Sequence, residues 1–490
     1  MAKFNNSKSN INKTTNNCGI TAYKMNDKEK LITQVLTTFF NEQKYYGDNS
    51  KEIINTINSV LNFDPKFVAN LALFTREQMN LRTISHVLSA EISHHINGKP
   101  YARKLIKNII KRADDMSEIL SYYLHNYKKP IPNSMKKGLA DAFLKFDEYQ
   151  LQKYNRAKEV KLSDILCITH PKALNNEQND LWKRLLEDKL KTPITWETEL
   201  SSKGNNKEVW ENLIESNKLG YMAMMRNLRN IIKSGASNIN KVYEFLSDEN
   251  NVLKSKQLPF RYYSAYNVLK NENLGTSKIF DTLEKAIKIS CKNISELKGK
   301  TLIAADVSGS MGGKISIKSE ITCAEIAVLM MAIANYICEE TITTTFDTSL
   351  KMCNLSTSNG IISNANSINV NGGGTDITLP IQYLLQNKIF VDRIILFSDN
   401  EINSGWNSSY GGWLRKSSIP CQLLVEQYKN TINPNIWVHA IDLQGYGTQQ
   451  FKGKNVNIMA GWSEKVLEFI NLTEKGTDSL SKRIEGYYFK

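Results

Sequence analysis

Two patterns, one on each side of residue 299, predict a multidomain α and α/β chain: stacked helices first, then a doubly wound α/β domain. Before residue 299, apolar residues recur at three and four positions in short stretches, and strand-like alternation is nearly absent. After it, strand and helix patterns alternate, which implies a parallel sheet covered on both faces. Charge changes at the same place. From Gly299 onward 16 Lys and Arg face 17 Asp and Glu, leaving 47 against 32 before it, so the first part carries +15 and the second −1.

Residues 1–22 are rich in Asn, Ser, Thr and Lys and read as a flexible tail. From Tyr23 to Lys298 come amphipathic stretches such as EKLITQVLTTFFNEQ, SKEIINTINSVLNF, PKFVANLALFTREQM and RTISHVLSAEISHHI, punctuated at Pro65, Gly98, Pro130, Pro132, Pro193 and Gly220. Short helices with brief turns bury their apolar stripes by stacking as a solenoid, although no strict repeat period is visible. In residues 299–490, strands are expected at 301–306, 341–347, 391–397, 435–442 and 455–459. Helices are expected near 317–338, 377–387, 421–431 and 464–473. The domain boundary is placed where pattern and charge both change, between 298 and 299.

The segment TLIAADVSGSMGG, residues 301–313, ends a buried strand with Asp306 and follows it with Ser308 and Ser310. Open α/β sheets place their ligands at this carboxyl edge. In VNGGGTDITLP, residues 370–380, three glycines free the backbone for close approach and Thr375 adds a hydroxyl. In VDRIILFSDNE, residues 391–401, a second buried strand ends at Asp399. Three hydroxyls and two carboxylates form an all-oxygen set that suits a hard divalent cation, Mg²⁺ above others. The plainer alternative is that the serines cap a helix and Asp399 merely ends a strand. Ser308 stands where a two-carboxylate phosphatase motif needs its second Asp, and GSMGGKIS lacks the glycine spacing of a phosphate loop.

The basic first part points to a polyanion partner, with a generally solvated Lys-rich surface as the alternative. Seven scattered cysteines without a CxxC pair encode neither a zinc ribbon nor a disulfide framework. The start lacks an apolar signal segment and no run of about 18 apolar residues suggests a membrane span. A cytoplasmic, monomeric protein fits that composition.

The stretch KKGLADAFLKFDEYQLQKYNRAKEVK interleaves Lys136, Lys137, Lys145, Lys153, Arg156, Lys158 and Lys161 with Phe143, Phe146, Tyr149 and Tyr154. Cations neutralise phosphates and aromatic faces stack on unpaired bases. The same spacing also suits two helices with an aromatic core stripe and a lysine-rich solvated face. His170, before Pro171, serves equally to end a turn.

Asp306, Ser308, Ser310, Thr375 and Asp399 together resemble the metal-ion-dependent adhesion site of von Willebrand factor A domains, where the open metal position takes a partner's carboxylate. The phrases NLRTISHVLSAE, KFDEYQLQKYN, LSDILCITHPK, YMAMMRNLRNI and LPFRYYSAY resemble the TROVE domain of the Ro ribonucleoprotein autoantigen family and its bacterial or phage-type relatives. The resemblance implies a ring of HEAT-like helical repeats closed by the von Willebrand A domain around a basic hole. It implies binding of small noncoding Y RNA on the outer surface and of single-stranded 3′ ends of misfolded RNA in the hole, with a 3′ exonuclease as a further partner. Lys153 and His170 occupy matching Y RNA contact positions. A family Arg is replaced by Ala157 beside Arg156. Arg226, Arg229 and Arg261 lie in the signature phrases and are candidates for lining the hole, with packing and helix-end pairing as alternatives.

The sequence therefore predicts a non-enzymatic RNA-binding protein of RNA quality control or decay. The rival is a metal-dependent interaction scaffold that captures a partner carboxylate. A nuclease would need a carboxylate cluster in the basic part, and none is identifiable.

Overall fold

The computed structural model describes residues 13–15, 21–37, 51–128, 130–155, 159–192, 194–217, 219–257, 259–314, 321–370, 372–399, 406–409, 412–415, 421–444, 448–460, 465–475 and 480–487. The chain forms two compact units, residues 41–245 with 480–490, and residues 1–40 with 246–479. The pattern change at residue 299 marks the start of a sheet. By compactness, the helices between 246 and 290 group with that sheet.

The first unit is built of short helices whose ends are set by local chemistry. Asp64 accepts from the Phe67 amide at 3.0 Å and Pro65 occupies the first turn of helix Pro65–Glu77, where its missing N–H costs nothing. Asp147 and Gln150 cap each other's backbone at the start of helix Glu148–Tyr154. Helix Thr83–His94 is buried from Ile84 to Ser93 and packs on helices Pro65–Glu77, Lys99–Ile109 and Ala113–Tyr127. Ser85, Ser89 and Ser93 can lie inside because each hydroxyl donates at 2.7 Å to the carbonyl four residues back. Gly138 lets helix Asn133–Phe143 approach helix Lys99–Ile109, since a Cβ there would lie 2.9 Å from the Arg103 carbonyl.

An ion cluster joins these helices. Asp115, fully buried, accepts from Arg76 at 3.1 Å, Arg82 at 2.6 Å and the Lys111 and Arg112 amides at 2.9 Å, with His86 Nε2 at 3.2 Å. Burial pushes its carboxyl up, but the His86 contact and the Arg82 and Arg76 charges outweigh that and hold it far below the usual carboxylate range. After residue 479 the chain returns to this unit. Asn70 donates to the Glu485 carbonyl at 3.0 Å, and the Tyr487 hydroxyl donates to Glu77 at 2.8 Å and lies 3.1 Å from the Gln78 amide nitrogen.

In the second unit, strands β1 (Lys13–Thr15) and β2 (Thr21–Lys24) pair antiparallel, so the expected tail of residues 1–22 holds β1 and the start of β2. The main sheet contains β3 (Leu297–Asp306), β4 (Cys338–Phe346), β5 (Leu350–Cys353) and β6 (Arg393–Ser398). A hairpin, β7 (Trp406–Ser409) with β8 (Gly412–Arg415), stands apart. Strand β9 (Trp437–Asp442) rejoins the main sheet, β10 (Thr448–Gln449) pairs β2, and β11 (Val456–Ala460) ends the set. The sheet order is β11-β9-β6-β3-β4-β5, parallel except for the edge strand β5.

All five expected strands are present within a few residues. The expected helices appear as Cys323–Ile337, Leu379–Gln386, Cys421–Thr431 and Lys465–Glu474. Helix Cys323–Ile337 has 13 buried residues, fitting a crossover packed tightly on the sheet. Glu284, on helix Ser277–Ser290, accepts from the amides of Ile362 and Ser363 at 3.1 and 3.2 Å, capping helix Ile361–Asn366. Arg393 and His439 both meet Glu474, at 2.7 and 2.9 Å, which ties helix Lys465–Glu474 to the sheet.

Candidate metal centre and nucleic-acid interface

Parallel pairing sets the metal candidate. Strands β9, β6 and β3 are neighbours, and they end at Asp442, Ser398 and Asp306, so Asp399 and these three residues meet at one carboxyl edge. Asp306, Asp399 and Asp442 are fully buried. Asp306 accepts from the Ser308 amide at 2.9 Å through one oxygen and from the Ser398 hydroxyl at 2.7 Å through the other. The Ser308 and Ser310 hydroxyls are 3.2 Å apart, with Ser308 buried and Ser310 exposed. Gly309 N donates to the Gly373 carbonyl at 2.7 Å, which brings the glycine loop carrying buried Thr375 against the serine loop.

The residues fit a hard cation on two grounds. Burial and then the Asp399 charge push the Asp306 carboxyl well up, because two carboxylates share a dry edge, and a divalent cation is what relieves that repulsion. The donors are hydroxyl and carboxylate oxygens, the set that Mg²⁺ takes along with retained waters. Among the described residues no three His, Cys, Asp or Glu side chains converge as a metal-binding group, so hydroxyls and water would have to complete any coordination. The sequence reading missed Ser398, Asp442 and Gln444, whose amide donates to the Ser310 carbonyl at 3.0 Å and steadies the loop. A carboxylate at the end of a third strand was the available signal for Asp442.

The RNA candidates divide. Lys153 lies over the rings of Tyr149 and Tyr154, at 5.4 and 5.9 Å from their centroids. The Arg112 guanidinium stacks 4.5 Å from the Tyr154 centroid while gripping Asp114 through two nitrogens at 2.8 and 3.0 Å. The sequence reading missed Arg112, although an Arg two residues before an Asp pair at a helix start was the available clue. Phe143 and Phe146 are buried core residues, whereas Tyr149 is 48% exposed, so the aromatic stripe serves both readings. Lys145 turns to the carbonyls of Lys107 and Ile110 at the end of helix Lys99–Ile109. Burial first, then the Lys111 and Lys107 charges, lower its pKa to about 8.

Lys136 is half-buried and Lys137 exposed on helix Asn133–Phe143. His170 is exposed and closes helix Leu162–Thr169 in a left-handed turn at φ 44°, its amide donating to Leu166. Arg226 and Arg229 are exposed on helix Tyr221–Ser234. Arg261, in the other unit, is exposed and lies 4.8 Å from the Phe260 centroid. Arg156 falls outside the described residues.

Stacked helices bearing cations over tyrosine rings, together with a doubly wound sheet whose carboxyl edge gathers Asp, Ser and Thr, define a helical protein with a von Willebrand A-type domain. The TROVE domain model matches residues 14–188 and 183–282, and the Ro60 vWA domain model matches residues 300–411. The chain belongs to the Ro family of TROVE-domain proteins. It is 27% identical over 312 residues to telomerase protein component 1 of Rattus norvegicus, covering 46% of this chain and 12% of that one. It is 27% identical over 214 residues to RNA-binding protein RO60 of Caenorhabditis elegans, covering 41% and 33%. The matches thus span no more than a third of either relative. The crystal structure of the Deinococcus radiodurans Ro (RSR) protein superposes with a TM-score of 0.61 at 16% identity, over 86% of this chain and 93% of that one, a likeness of fold.

Proposed function

We propose that this protein binds RNA without catalysing a reaction, in RNA quality control or decay in the cytoplasm. Its ligands are a small noncoding, Y-like RNA held at the surface around Lys153 and the single-stranded 3′ ends of misfolded RNA, and a 3′ exonuclease is a candidate partner. The observation that carries the reading is the pairing of Arg112 and Lys153 with Tyr154 and Tyr149, in a part of the chain with a formal charge of +15. A guanidinium already fixed by Asp114 and stacked on a ring meets phosphate with little ordering cost, and the exposed ring offers a face to an unpaired base. Family membership supports the same class of ligand.

The von Willebrand A-type domain is proposed to hold Mg²⁺ through Ser308, Ser310 and Thr375, with Asp306 and Asp399 balancing its charge. The buried carboxylate pair favours this, and with it a second role as an interaction domain that captures a partner's carboxylate.

Titration of the full chain with structured and single-stranded RNA across a salt series tests the RNA reading. The logarithm of affinity should fall linearly with log salt, by roughly 0.7 per phosphate contact for single strands. Affinity that does not change with salt, or the absence of binding at low salt, refutes it.

A further inference from the structure

We infer that the paired rings of His94 and Tyr127 form a stacking platform for an unpaired nucleobase of single-stranded RNA, apart from the Lys153 surface. This rests on the RNA-binding reading above. Arg112 and Tyr127 stand at opposite ends of helix Ala113–Tyr127, about 22 Å apart at ~1.5 Å per residue. The helix therefore spans two separate contacts.

The rings are nearly parallel, with centroids 3.7 Å apart and planes 10° off. Tyr123 flanks them at 5.3 Å from Tyr127 and 6.1 Å from His94. Tyr127 is pinned. Its hydroxyl donates to Glu91 at 2.5 Å, and Tyr122 donates to the other Glu91 oxygen at 2.9 Å. Glu91 is only 1% exposed, so its burial costs folding energy in order to orient a ring whose partner, His94, lies at the surface. Burial, then the charges of Lys99 and His95, lower the His94 pKa, which leaves a neutral aromatic face at physiological pH. Such a face accepts any base, because every base has a π-surface.

The surroundings suit a nucleotide chain. His95 Nε2 lies 3.1 Å from the side-chain Oδ1 of Asn62, and the Asn97 side-chain amide donates to the Asn62 backbone carbonyl at 3.3 Å, bringing the end of helix Lys51–Phe63 alongside. Phe63 and Ile96, 60% and 74% exposed, extend the apolar surface there. Lys99, whose charge acts on His94, and Lys128, which follows Tyr127 in the chain, are both exposed and supply charge for phosphates.

The test is fluorescence titration of the full chain with a single-stranded oligoadenylate carrying 2-aminopurine, and with an RNA duplex, at several salt concentrations. His94→Ala should weaken single-strand binding by roughly 5- to 100-fold, the range a lost base stack implies, with the salt slope unchanged. His94→Phe should restore the affinity, and duplex binding should be the same in all three proteins. Lys99→Ala should instead lower the salt slope. An unchanged His94→Ala, a His94→Phe as weak as the alanine variant, or a loss accompanied by a lower slope would each overturn the platform while leaving RNA binding intact. A wild type that binds no RNA overturns the RNA-binding reading and this site with it.

Discussion

Replacing Gly372 by alanine tests the metal centre by geometry alone, without touching a proposed ligand. A Cβ there would press on the Val307 carbonyl oxygen and lie 2.6 Å from its carbon and 3.0 Å from Ser308 Cα. Carbon atoms rest at ~3.5–4.0 Å, so the glycine and serine loops must part by about 1 Å. Mg²⁺ holds oxygen at ~2.0–2.1 Å in near-ideal octahedral geometry, and metal sites tolerate only about 0.2 Å. The shift is several times that tolerance, and the overpacking itself costs about 1–3 kcal/mol.

Gly373→Ala is the matched control, because its Cβ would meet only the Thr348 side chain, at 3.4 Å. At a Mg²⁺ concentration near 100 times Kd the wild-type unit gains ~2.7 kcal/mol. For a unit of this size that is a rise in Tm of about 4–5 °C. Calorimetric scans of the full chain with Mg²⁺ or with chelator should show this rise in the wild type and in Gly373→Ala, and less than about 1 °C in Gly372→Ala. A full Mg²⁺ shift in Gly372→Ala, or none in the wild type, refutes the reasoning.

Asp306→Ala should likewise abolish the Mg²⁺ shift yet leave RNA affinity within about twofold, since phosphates are held in the other unit; RNA titration of the folded variant checks this, and outright loss of RNA binding contradicts the division of roles. Arg112→Ala with Lys153→Ala should weaken structured small RNA and lower its salt slope by roughly 1.4–1.8, two contacts at ~0.7–0.9 each, while leaving the slope for a bare single strand unchanged; equal losses for both ligands would contradict two separate sites. Asp115→Asn should cost about 3–5 kcal/mol, because Arg76, Arg82 and His86 lose a buried partner, and hydrogen exchange in helix Thr83–His94 should accelerate accordingly. The Asp115 pKa is depressed on folding, so its contribution is complete above the unfolded value of about 4 and is lost as pH falls below it; an Asn variant with the wild type's acid sensitivity in this unit would refute that assignment.

Local pattern carried much of this protein into view. The strands ending at Asp306 and Ser398 were legible because buried parallel strands read as short apolar runs, and Asp306, Ser308 and Ser310 because two hydroxyls follow a strand-ending carboxylate. The edge strand β5 and the hairpin β7–β8 were not, since strands of only four residues leave no clear period. The segment around Lys153 looked uniform in sequence, yet it divides into buried Phe143 and Phe146, a lysine turned onto a helix end, and an exposed Tyr149. Side-chain direction there follows from how helix Glu148–Tyr154 packs on Ala113–Tyr127 and Asn176–Leu186.

The sequence by itself determined the two architectures, the order of the strands along the chain, the hydroxyl–carboxylate motif and the excess positive charge, because each is a property of neighbouring residues or of composition. The tertiary structure alone decided which distant groups meet. Strand order put Asp442 and Asp306 at the ends of the two strands that flank the one leading to Asp399, and helix packing set Arg112 on Tyr154 and His94 on Tyr127. It also returned Tyr487 to Glu77 and Gln78 across more than 400 residues. No local period encodes such pairings, since they arise when separate apolar faces bury each other and bring along whatever polar groups lie at their edges.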